Sequence, residues 1–239
     1  MTTTIGGLIE SLPAATGFPA ERGWEIARAL QAAVLLPSEG EAAERVGMMD
    51  AVRLLIPLMA DAAPAEAAKI SELFWSLPLG GIWRTDDRPD GLCRIGRLDD
   101  ANEWVNTFVP ADETFGPFLV RVLAHWLVSP DENLDPRSVN LVGGLGERWA
   151  GVRFASSPNW RGPSMQISAV FDFSSAGAPP GLPDDAPPAR ITRTAEVQLG
   201  PLIKALGDLL LDDDEKAWID TDRKVRAALG GATMEMEGA

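Results

Sequence analysis

His125 is the only histidine in the chain, so any acid–base or metal chemistry that needs an imidazole has to pass through it. Sites built on two histidines, HExxH zinc sites among them, are thereby excluded, and the single cysteine, Cys93, allows no CxxC pair. Arg121, His125 and Ser129 recur at intervals of four, so a helix stacks them along one side. Such a row can line a polar cleft, and these three residues are the candidates for one. The plainer role for the row is the solvent edge of a helix buried on its other sides. A Ser/His/Asp triad would need its serine on a GxSxG elbow, and the sequence has none.

The acidic residues offer few complete metal-ligand sets either. Asp131, Asn133 and Asp135 begin like a calcium loop, but Pro136 stands where glycine is needed and Val142 where the last carboxylate should be. Asp99, Asp100 and Glu103 fall near an expected turn, and Asp212 to Glu215 read as helix-start chemistry. Asp172 lies between Phe171 and Phe173, and strand alternation puts it on the face opposite the phenylalanines, toward water. Gly143, Gly144, Leu145 and Gly146 have the composition of a phosphate loop without its Lys-Ser/Thr pair or following helix, so they read as a hairpin loop. Cys93, in mid-strand, reads as a small core residue. No catalytic set, cofactor site or metal site emerges. Trp160 and Arg161, in a Pro/Gly-rich loop, are the candidates for a contact surface.

Three helices precede the strands. Residues 1–17 form a loose arm or a short docked helix with Ile5, Leu8, Ile9 and Leu12 as its apolar members. Ile26, Leu30, Ala33 and Val34 give helix 20–35 one apolar stripe. A helix over 41–62 repeats the spacing, with Pro57 predicting a kink or break near Leu55. Helix 64–76 turns Ala67, Ile70, Leu73 and Phe74 inward.

From Gly80 the period changes. GGIWRT and LCRIGRL flank a Pro-Asp-Gly turn, and EWVNTFV, ended by Pro110, could be a third strand. Helix 117–128 is apolar nearly all round and so central. Two runs, Ser138–Val142 and Glu147–Ala155, form a hairpin, and MQISAVFDF alternates with a period of two. A Pro/Gly-rich connector over 176–190 leads to a strand from Ile191, a helix begun at Gly200-Pro201, and a last helix over 213–229.

The segregation of helices and strands predicts an α+β fold: antiparallel sheet packed against helices, preceded by an N-terminal helical layer. Its divisions are 1–78 helical, 79–175 sheet with a central helix, 176–190 connector, and 191–239 completing the same domain. The element order between Pro64 and Phe154, with the strong acidity, resembles that of type III secretion chaperones. That resemblance is one of order alone, carries no motif residues, and implies protein holding.

Composition narrows function by exclusion. The 239 residues are 46% hydrophobic, which is ordinary for a globular chain. A net charge of −14 repels phosphate backbones, so nucleic-acid binding is not expected, whereas a basic protein would be attracted. The longest apolar run is interrupted by Arg121 and His125, so no membrane span is expected. One cysteine forbids an internal disulfide, and no signal-peptide pattern opens the chain, which reads as soluble and cytoplasmic. The leading expectation is a non-enzymatic, acidic protein-binding module (chaperone, immunity-type inhibitor or adaptor) with a basic protein partner. The rivals are an enzyme or small-ligand domain near Arg121 and His125, and a structural subunit of a larger assembly.

Overall fold

Apolar side chains three and four apart decide where the helices form and which way they face. The computed structural model describes residues 4–37, 46–85, 92–95, 114–128, 134–143, 148–156, 168–174, 193–222 and 224. Ser129, Trp160, Arg161, the expected strand near 104–109 and the connector at 176–190 lie outside them. Helix makes up most of the described residues. The helices are α1 (Ile5–Thr16), α2 (Ala20–Ala32), α3 (Met48–Met59), α4 (Ala67–Trp75), α5 (Phe115–Val128) and α6 (Leu199–Leu210). A 3-10 turn, Pro64–Glu66, leads into α4, and residues 213–222 form a further helix, α7.

The segment read as an arm or docked helix is α1, with Ile5, Leu8, Ile9 and Leu12 all buried. It lies against α2 and α6. Helix α3 runs without a break through Leu55 and ends at Met59, so Pro57 stands in its last turn rather than at an interruption. At its start the Asp50 carboxylate accepts the N–H of Gly47 at 2.8 Å. Ser71 is buried on α4, on a face expected to be apolar, and its hydroxyl donates to the Arg53 carbonyl at 3.2 Å. A buried hydroxyl with an acceptor costs little.

Helix α2 keeps Ile26 and Leu30 inside, but the expected stripe fails at its end: Val34 is 87% exposed with φ +59°. The reason is a left-handed turn. The Val34 N–H reaches the Gln31 carbonyl and the Leu35 N–H reaches Leu30, both at 2.9 Å, which closes the helix in the way a glycine usually does. A β-branched residue is strained there, by about 1–2 kcal/mol. Val34→Gly is therefore expected to raise the unfolding free energy by about 1 kcal/mol net of glycine's entropy. Urea unfolding checks it, with Val34→Ala, which keeps the Cβ, expected to gain less.

Six strands are described: β1 (Leu79–Thr85), β2 (Leu92–Ile95), β3 (Leu134–Gly143), β4 (Arg148–Ser156), β5 (Ser168–Ser174) and β6 (Arg193–Gln198). Their pairings are antiparallel in the order β2-β1-β5-β4-β3-β6. β3 begins at Leu134, four residues before the expected start, and the register shifts between Pro136 and Ser138. A shift of that kind accommodates a proline beside the ladder. Along β6, Glu196 and Gln198 are exposed and Val197 is buried. Val139 stands in register with both Val197 and Val152, and Val152 too is buried. One apolar cluster joins side chains of α1 to α6 with Ala150, Val152 and Val197 of the strands.

Candidate functional site

Helix α5 carries the residues singled out for chemistry. Phe115, Phe118, Leu119, Val122, Leu123, Trp126 and Leu127 are buried on it, while Arg121 and His125 are half-buried and Ala124 is exposed. Arg121 and His125 are four apart and share one side, as the spacing predicts. Desolvation by burial holds the Arg121 guanidinium below its ordinary pKa. The His125 ring meets the edge of Trp126, with centroids 4.7 Å apart and planes at 73°. Ser129, the third member of the row, lies outside the described residues.

The remaining sequence candidates scatter. Cys93 stands in β2 opposite Arg84, and Asp135 in β3 opposite Ala155. Asp172 stands in β5 opposite Gly151 on one side and Gly81 on the other. Among the described residues no three His, Cys, Asp or Glu side chains cluster as a metal ion needs. No described helix is long and apolar enough to cross a membrane.

Geometry draws attention instead to the corner where α5, α6 and α7 meet. Leu127, near the end of α5, packs against Gly207 of α6 so closely that a Cβ at 207 would lie 2.8 Å from the Leu127 Cδ1. Beside that contact opens a cleft of about 450 Å³. Its apolar side is Trp126, Leu127, Ile203, Leu211 and Ile219, and Gly200 leaves one wall without a side chain. The polar side has Lys204 and Asp208 from α6 and Lys216 and Asp220 from α7. The Lys216 ammonium donates to the Asp208 carbonyl at 3.1 Å, tying α7 to α6. Arg121 and His125 are not among the residues around this cleft.

Helix α7 is started by its own acids. The Glu215 N–H reaches the Asp212 carboxylate and the Asp212 N–H reaches the Glu215 carboxylate, both at 2.8 Å, a reciprocal capping box. Ile219 is the buried residue of the helix, turned to the cleft with Lys216 and Asp220. Helical periodicity then sets Asp214, Trp218 and Asp222 in one row on the outer side. Trp218 is 62% exposed.

The sequence reading missed Trp218 because the acids around it were absorbed into helix-start chemistry. The signal was available: an indole bracketed at i−4 and i+4 by carboxylates on a helix whose inner position is Ile219. Compared with protein families, with curated proteins and with solved structures, the chain matches none.

Proposed function

We propose that this chain is a non-enzymatic, acidic protein-binding module of the α+β class, its antiparallel strands backed by helices, and that it holds a basic segment of a protein partner at the α6–α7 corner. The observation that carries the reading is Trp218, exposed on a stretch from Asp208 to Asp222 that holds seven carboxylates and one lysine. An exposed tryptophan gives a partner a large, stiff contact area, and tryptophan is enriched among residues that dominate interface energies. Carboxylates around it speed the approach of a basic partner and repel acidic ones. A lysine or arginine of the partner can lie over the indole while its charge reaches Asp214. The chain already builds such a pair internally, with the Arg53 guanidinium 5.0 Å from the Trp75 ring centre.

Trp218→Ala is expected to weaken association with a basic peptide about tenfold or more, in the range of an interface hot spot. The folded state should change little, because the side chain is mostly in water. Titration at low and at moderate salt is the measurement, and affinity should fall as salt rises. Equal affinity for the basic peptide and for an acidic one of the same length would overturn the reading.

A further inference from the structure

We infer that the cleft between α6 and α7 seats one bulky apolar side chain of the partner's basic segment, an anchor that sets which basic segments are held. The inference rests on the reading just proposed and adds what electrostatics alone lacks, a means of choosing among basic sequences. At about 450 Å³ the cleft is within the size range of sites that take a ligand group, and Leu127, Ile203 and Ile219 in its lining offer apolar surface to it. Removing such a side chain from water into that lining is favourable in proportion to the area covered.

The polar side argues against a charged occupant. Each helix lends one base and one acid, Lys204 with Asp208 and Lys216 with Asp220, so the rim offers both signs in equal number. Lys216 is already committed to the Asp208 carbonyl, 3.1 Å away. With the signs balanced, neither an anion nor a cation finds a net opposite charge to offset leaving water for the apolar lining. A neutral apolar group meets no such penalty. The chain on either side of it then runs out over Asp212, Asp213 and Asp214, where basic residues are favoured.

Gly200 makes the anchor testable. It lines the cleft, and a Cβ built there meets nothing within 4 Å, so a side chain can be added without forcing the backbone. Two fluorescent peptides serve as probes, alike in their basic ends and differing only in a central phenylalanine or serine. The wild-type chain is expected to hold the phenylalanine peptide about tenfold more tightly than its twin, the effect of burying one such side chain. Gly200→Trp fills the cleft and should erase that preference while leaving the weaker, salt-sensitive binding of the serine peptide in place. Gly200→Ala, which leaves the cleft open, should keep the preference. Unchanged thermal unfolding of both variants confirms that the fold is intact.

Equal affinity for the two peptides, or a preference that survives Gly200→Trp, would overturn the anchor and leave the acidic docking surface standing. If neither peptide binds, the docking surface fails and the anchor with it.

Discussion

Gly116→Ala is expected to lower the unfolding free energy by about 3 kcal/mol, the upper part of the range for forcing atoms into a packed interior. Gly116 stands in the first turn of α5 against the Trp75 indole of α4, and a Cβ at 116 would overlap the ring at Cδ2, Cε3 and Cε2. The ring cannot easily yield, because the Arg53 guanidinium covers it at 5.0 Å and is itself bonded to the Leu35 carbonyl at 3.3 Å. Relief therefore means separating α4 from α5. Alanine's better helix propensity returns at most about 1 kcal/mol.

Gly207→Ala is the control for that argument. There the close atom is the Leu127 Cδ1, the free end of a flexible side chain, and a small rotation makes room. Its cost should be well under half that of Gly116→Ala. Urea unfolding measures both: a lower midpoint with an unchanged slope marks lost stability without a change in the states compared. Similar costs at the two positions would show that ring rigidity is not what decides between them.

The helices were legible because a stripe of period 3.6 needs no knowledge of what it packs against. Ile26 and Leu30, then Leu202 and Leu206, lie on stripes that predict burial, and all are buried; so are Leu8, Ile9 and Leu12, whose segment fits a loose arm and a docked helix alike in sequence. Element ends were less legible, because they depend on backbone geometry more than on hydrophobicity. Val34 continued the stripe in sequence, yet the chain had already turned left-handed there, at a residue that gives no glycine signal. Pro57 suggested a break at Leu55, yet the helix runs on to Met59, and the Arg53 carbonyl that the proline deprives of a donor accepts the Ser71 hydroxyl instead.

The candidate site was the least legible part, for a physical reason. Trp126 comes from α5, far upstream of the consecutive helices α6 and α7 that carry Gly200 and Ile219, and the volume between them is a property of how those helices cross. The polar row on α5 was visible because Arg121 and His125 share one helix, and single-helix patterns are what periodicity reports. Trp218 was open to the same treatment, and the acidic helix start drew attention from it. Trp160 and Arg161, chosen as a contact surface from loop composition, lie outside the described residues.

Phe118→Ala should have the largest effect on stability, a loss of about 3–5 kcal/mol. The side chain has no exposure and is among the largest fully buried in the core, on the helix that packs against α3, α4 and α6. Removing it takes away the transfer free energy of the ring and leaves a cavity that three flanking helices cannot all close. Against a total stability of about 5–15 kcal/mol for a domain, that is a large share. Phe118→Leu retains most of the apolar volume and should lose about 1.5 kcal/mol or less. The pair also separates scaffold from surface. Helix α5 supports the α6–α7 corner through the Leu127–Gly207 contact, about two and a half helical turns beyond Phe118, so on the proposed reading the folded fraction of Phe118→Leu should match the wild type in its affinity for a basic peptide. A loss of that binding in a fully folded Phe118→Leu variant would mean that the corner depends on the interior of α5 and not only on its end.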